Sequence, residues 1–283
     1  MVDKTWRGKT GGTHWMQRAL VWIIRSTDIR VAYAMMHLWL VWYILVRRNE
    51  RHGAYVFHRR RGRSRMQAAA DVYRSFYHFG KAIIDRFAVY AGVPFEVEVE
   101  NRGLYYGRVN SSEGFVMLFT HVGNTEMAGY FLSTPDKRLH ILAYGGESPV
   151  VMEHRRQVLE RNNIDMITVQ PDDNSHIYRI GEVLQAGDVL AIAADRRMGD
   201  TTITETILGA PARLPAGAFR ICKALRKPVL LVFVIKESPT TYRAYCEQLQ
   251  PDNTLPQQYA QRLEQMAINH PYEWFNFYDF WAE

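Results

Sequence analysis

His121, Val122, Gly123, Asn124, Thr125 and Glu126 follow directly on the apolar run 114–120. An imidazole at the end of a strand, with a carboxylate five positions on, makes a general-base pair able to take a proton from a hydroxyl or an amine. Among the ten histidines, His121 alone is followed by an acid at that spacing. In this arrangement His121 is the base, and Glu126 accepts the imidazole's other N–H and fixes its tautomer. Gly123, with Asn124 beside it, lets a substrate approach the backbone, and a helix starting near Thr125 aims N–H groups at developing negative charge. The competing reading is a surface histidine at a strand end, with an acid that favours a helix N-terminus.

A second cluster, Ala194-Asp195-Arg196-Arg197-Met198-Gly199-Asp200, follows another apolar run at 189–193. Arginines at a strand end can bind a phosphate or carboxylate bidentately, which makes Arg196 and Arg197 candidates for substrate binding. A solvated charged turn is the alternative. Other schemes do worse. Gly146-Glu147-Ser148-Pro149-Val150 lacks the last glycine of a serine-hydrolase elbow and has a proline where the helix must start. Neither a P-loop nor a dinucleotide-type glycine loop occurs. Cys222 and Cys246 are far apart, without the spacing of a metal site or disulfide framework. A base mechanism with no metal and no cofactor is what remains.

The elements that must position these groups are read from periodicity. Apolar residues from Ala69 to Phe87 recur at helical spacing and predict a long helix over 66–91, interrupted by Gly92 and Pro94. Beyond it, short apolar runs predict strands at 97–99, 115–119, 139–144, 165–169, 189–193 and 229–235. Helices are expected near 125–133, 150–162, 175–186, 213–226 and 255–268. This alternation indicates an α/β domain with a central mixed sheet flanked by helices. In such sheets ligands sit beyond the carboxyl ends of strands, where His121 falls. Two regions are expected: an N-terminal section over 1–65 and a catalytic α/β domain over 66–283.

The chain of 283 residues carries a net charge of +6, unevenly placed. Eight arginines lie between Arg47 and Arg65 against a single acid, Glu50. They follow an uncharged, Trp- and Tyr-rich run at 31–46, and those aromatics favour a membrane interface. As a helix, sixteen residues span about 24 Å, short of the roughly 30 Å hydrocarbon core. A helix lying in or dipping into one leaflet is therefore expected, with its arginines on anionic headgroups. A core helix followed by a solvated basic loop is the alternative. A nucleic-acid arm is disfavoured, because the block does not interleave basic with aromatic residues. No cleavable signal is apparent near the N-terminus. Arg155, Arg156 and Arg161 fit a solvent face. The C-terminal stretch from His270 to Trp281, rich in aromatics, fits a tail that caps the core.

The order of these blocks resembles the bacterial lipid A late acyltransferases, the lauroyl and myristoyl transferases of the lysophospholipid acyltransferase superfamily. An apolar aromatic helix, a basic stretch and a long helix come first. A strand ending in His-x-Gly-Asn-x-Glu, a later Ala-Asp-Arg block and a Pro-x-Glu-Trp follow. The resemblance implies a glycerolipid acyltransferase-like fold with a membrane-associated N-terminal section. It also implies transfer of a fatty acyl chain from acyl carrier protein, or from coenzyme A, to a hydroxyl or amine of a lipid such as a lipid A precursor. His121 matches the catalytic histidine and Glu126 its acidic partner, while Asp195 and Arg196 fall in a later block associated with the active site. Lipopolysaccharide synthesis at the cytoplasmic face of the bacterial inner membrane is the implied setting. The implied partners are acyl carrier protein, a membrane lipid acceptor and an anionic membrane surface, with no nucleic acid. The rival is an inactive membrane-associated protein of the same fold that binds lipid or carrier.

Overall fold

The computed structural model of the chain describes residues 14–131, 137–144, 163–169, 175–197 and 201–281. It divides into two compact units. The first comprises residues 1–95, 238–240 and 271–283, and the second residues 96–237 and 241–270. The long helix expected at the start of the catalytic domain thus belongs with the N-terminal helices, because its apolar face is buried there.

In the first unit, α1 (His14–Ser26), α2 (Ile29–Val46) and α3 (Arg48–Arg60) gather around α4 (Arg65–Ala91). Asp28 caps α2, its carboxylate accepting from the Arg30 N–H at 2.7 Å. Ser64 and Gln67 form a reciprocal capping box on α4, which ends at Gly92 in the left-handed region, φ 85°. Ile29, Ala32, Tyr33 and Leu40 of α2 are buried. Val31, Met35, Leu38, Trp39, Trp42, Leu45 and Val46 are exposed, and their spacing of three and four places them along one side of the helix.

The aromatic tail closes this unit as a core. Phe277 stacks on Phe76 with centroids 4.6 Å apart, and Trp274 meets Phe57 edge-on at 4.6 Å. Gly53 makes this close packing possible, since a Cβ there would run into the Tyr278 backbone. Burying each of these rings contributes roughly 2 kcal/mol. Nearby, the buried carboxylate of Asp71 accepts from Arg74 at 2.7 Å, Arg63 at 2.8 Å and the Tyr272 hydroxyl at 3.2 Å. Burial and the Arg61 guanidinium push the adjacent His58 down to about 4, so this histidine is neutral.

The second unit is built on a seven-stranded sheet. In chain order its strands are β1 (Glu96–Val99), β2 (Phe115–Gly123), β3 (Leu139–Tyr144), β4 (Ile164–Val169), β5 (Val189–Ala193), β8 (Val229–Lys236) and β9 (Thr241–Leu249). They lie in the spatial order β1-β9-β8-β2-β5-β3-β4. Every pairing is parallel except β8 with β9, so the sheet is mixed, as expected. The central strands β2 and β8 are near-continuous apolar runs because both of their faces are covered.

Helices α5 (Arg102–Val109), α6 (Thr125–Phe131), α7 (Ser175–Gln185), α8 (Ala216–Leu225) and α9 (Leu255–Asn269) flank the sheet. A separate antiparallel pair, β6 (Thr202–Ile207) with β7 (Ala210–Pro215), leads into α8, so the expected helix over 213–226 begins only at Ala216. The helix expected at 150–162 lies outside the described residues, as do Arg155, Arg156 and Arg161. Cys222 and Cys246 are free, buried thiols, both pushed up to about 12 by burial.

Candidate active site

His121 stands where β2 stops keeping step with its neighbour. Phe119 pairs with Val232 and Gly123 with Val234, so β2 takes four steps where β8 takes two. The surplus forms a bulge. The Thr120 hydroxyl accepts from the Val122 N–H at 3.0 Å, and the Phe119 carbonyl accepts from the Ala194 N–H at 3.1 Å and the Tyr259 hydroxyl at 2.8 Å. The sequence places the end of this strand at residue 119. The structure continues it through Gly123, with the imidazole carried on the bulge.

Beside it, β5 pairs in register with β2 up to Phe119 and Ala193. His121 and Asp195 are each two residues further on, so parallel pairing brings them to the same level at the carboxyl end of the sheet. Asp195 is fully buried and binds His121 twice. Its Oδ1 lies 2.6 Å from Nδ1, and its Oδ2 accepts the His121 main-chain N–H at 2.7 Å. A carboxylate can only accept here, so Nδ1 carries the proton and Nε2 keeps its lone pair. The imidazole itself is 27 % exposed.

Two opposing influences set the charge of this pair. Burial lowers the His121 pKa, the Arg196 guanidinium lowers it further, and Asp195 pulls it back only in part. Burial would raise the Asp195 carboxyl, but His121 and Arg196 outweigh it and hold the carboxyl below its ordinary value. The outcome is a neutral imidazole on an ionised carboxylate, the state a general base requires at neutral pH.

The sequence profile of the bacterial lipid A biosynthesis acyltransferase family matches residues 74–282. The chain belongs to that family. It is an acyltransferase acting on lipid. No curated protein matches the chain.

In this acyltransferase the carboxylate on His121 Nδ1 comes from Asp195, where the linear pattern points to Glu126. The family resemblance puts Asp195 in a block associated with the active site, and its pairing with His121 is legible only once β2 and β5 are aligned. Glu126 is half-buried in the first turn of α6. Gly123 and Asn124 are tied to the sheet. Gly123 has φ 81°, and a Cβ there would strike the Val234 carbonyl oxygen, so the close approach seen at this glycine is to β8. Asn124 is buried; its N–H donates to Val234 O at 2.7 Å and its Nδ2 to the Tyr242 hydroxyl at 3.2 Å. Arg196 and Arg197, both half-buried, follow Asp195 at the end of β5. Met198, Gly199 and Asp200, and the segment from Gly146 to Val150, lie outside the described residues. Among the described residues no group of three or more His, Cys, Asp or Glu side chains could hold a metal ion.

Proposed function

We propose that this acyltransferase moves a fatty acyl chain from an acyl thioester, carried by acyl carrier protein or coenzyme A, to a hydroxyl or amine of a lipid A precursor or a related lipid. The observation that carries this reading is the His121–Asp195 pair at the carboxyl end of the sheet, in a chain of the lipid A acyltransferase family. Nε2 of His121 takes the acceptor's proton as the acceptor oxygen or nitrogen attacks the thioester carbonyl. The tetrahedral intermediate then expels the thiolate, which recovers the proton from the imidazolium. A thioester is already activated, so no acyl-enzyme is needed. Asp195 orients the ring and stabilises the imidazolium. Glu126 serves as a second carboxylate near the reacting end, and Arg196 and Arg197 bind a phosphate of the acceptor or of the carrier's phosphopantetheine. Gly123 and Asn124 hold the floor of the substrate site.

The same reading places the enzyme on the cytoplasmic face of the bacterial inner membrane, in lipopolysaccharide synthesis. Support comes from the exposed apolar side of α2, an 18-residue helix long and apolar enough to cross a membrane, together with exposed Trp15 and Trp22 on α1. Tryptophan favours the headgroup boundary, and the exposed Arg48 and Arg65 suit anionic headgroups.

The deciding experiment is transfer of radiolabelled acyl chains from acyl carrier protein and from acyl-coenzyme A into total membrane lipid, compared with His121→Ala. Label that enters lipid only with the intact histidine supports the proposal, and the labelled product identifies the acceptor. Full transfer by the variant removes His121 as the base. Absence of transfer from either donor by the unaltered protein favours a binding protein of the same fold.

A further inference from the structure

Between Phe119 and Gly123 neither neighbour of β2 supplies a strand partner: β5 pairs with it as far as Phe119, and β8 resumes at Gly123. Thr120, His121 and Val122 therefore stand outside the ladder. A bulge disrupts pairing locally, so a side chain carried on one holds its direction only if other bonds restrain the backbone.

The last fixed point before the bulge is the Phe119 carbonyl. This oxygen accepts the Ala194 N–H at 3.1 Å, which continues the pairing with β5, and it also accepts the Tyr259 hydroxyl at 2.8 Å. His121 lies two residues beyond Phe119, and Asp195 one residue beyond Ala194. One oxygen thus joins the two stretches of chain that carry the pair. The far end of the bulge is tied as well, by Asn124, whose N–H donates to the Val234 carbonyl at 2.7 Å and whose Nδ2 donates to the hydroxyl of buried Tyr242 at 3.2 Å.

Tyr259 stands out because its hydroxyl is not needed for packing. On α9 the buried residues Leu255, Tyr259 and Leu263 recur every four positions as an apolar seam. Tyr259 is fully buried, and the Phe219 ring meets it edge-on with centroids 5.4 Å apart. A phenylalanine would fill that space equally well without taking a hydroxyl out of water. Nor does the Phe119 carbonyl need a second donor to be satisfied, since Ala194 already supplies one. What the hydroxyl adds is a second restraint on an oxygen with two lone pairs, at the root of the bulge.

We propose that Tyr259 is a positioning residue for the base: by holding the Phe119 carbonyl against Ala194, its hydroxyl sets the distance and angle at which His121 meets Asp195. The assignment rests on the reading of His121 as the base and adds the residue that keeps it in place. It also makes the geometry of the pair depend on the seating of α9, an element that lies far beyond both residues in the chain.

The test removes the hydroxyl and keeps the ring, in Tyr259→Phe. Steady-state acyl transfer should show kcat lowered about tenfold with KM changed less than about twofold, because a small displacement of the base lowers the rate without altering substrate binding. Nitrogen NMR of labelled histidine reads the pair directly: the His121 Nδ1–H signal of the unaltered protein should shift or weaken in the variant as the contact with Asp195 loosens. Tyr105→Phe, which strips the hydroxyl from another buried tyrosine of the same unit, on α5, should leave both readouts unchanged. An unmoved His121 signal in Tyr259→Phe overturns the proposal, whatever happens to the rate, as does an equal loss of kcat in Tyr105→Phe. Should Tyr259→Phe fail to fold, fluorotyrosine at position 259 keeps ring and hydroxyl while making the hydroxyl a stronger donor. The His121 signal should then still move, and a static one overturns the proposal. Full activity in His121→Ala would end the base assignment by itself, while the histidine signal would still decide whether Tyr259 sets the geometry of the pair.

Discussion

The carboxylate of Asp195 grips His121 at two points, the imidazole Nδ1 at 2.6 Å and the main-chain N–H at 2.7 Å. One side chain therefore fixes both the tautomer of the base and the backbone that carries it. Two hydrogen bonds to a buried ion, each of the charge-assisted kind, hold the ring against rotation.

Asp195→Asn should lower kcat on the order of 10²–10⁴ with a smaller change in KM, because the amide can present an N–H to Nδ1 and select the wrong tautomer. Glu126→Gln should cost less, since Nδ1 keeps its partner. Steady-state kinetics on both variants decide the order, and a larger loss at Glu126 would make it the principal acid.

The acidic limb of kcat/KM should fall below 6.5, the ordinary histidine value, because burial and Arg196 depress the His121 pKa. Arg196→Gln removes one of the two depressing influences and should move that limb upward. Stability follows the same sign. With the folded pKa depressed, the unfolded chain binds a proton below 6.5 that the folded protein refuses, so His121 contributes stability above that pH that is lost as pH falls. Denaturation curves and rate profiles between pH 5 and pH 8 provide the comparison.

Gly123→Ala should destabilise the protein by more than about 1 kcal/mol, since it combines a positive φ with a collision against a backbone oxygen that cannot swing aside. Chemical denaturation measures it. A neutral result would mean that the bulge can relax.

Leu38→Glu with Trp42→Glu, both on the exposed side of α2, should leave the fold intact and weaken binding to anionic vesicles by about a thousandfold, the equivalent of losing two buried apolar side chains at about 2 kcal/mol each. Vesicle sedimentation together with circular dichroism separates this from unfolding. Undiminished vesicle binding would remove α2 as the membrane contact.

The centre of the sheet was legible in the sequence because β2, β5 and β8 are near-continuous apolar runs, as suits strands covered on both faces. The less uniform strands were hidden. β9 alternates buried Tyr242, Ala244 and Cys246 with Arg243 and Glu247, so its hydrophobicity is diluted to half, and β7 carries Pro211 and Pro215, which a two-stranded ribbon tolerates at its edges. His121 could be picked out from its place after an apolar run. Its true partner at Nδ1 could not, because 74 residues separate it from Asp195 and only the register of two parallel strands brings them level. Charge was legible as a count and not as a disposition. The arginines of Arg47–Arg65 look alike in the sequence, whereas the structure pairs Arg47 with Glu50 and Arg63 with Asp71 and leaves Arg48 and Arg65 exposed.

The separation between His121 and Asp195 also sets when the pair can form. During synthesis, His121 leaves the ribosome long before Asp195, and until β5 docks beside β2 the imidazole has no carboxylate to hold it. On the proposed mechanism, catalytic competence waits for β5 to dock beside β2. Cleavage between the two strands would yield fragments that are inert apart and able to regain activity only by reassembling.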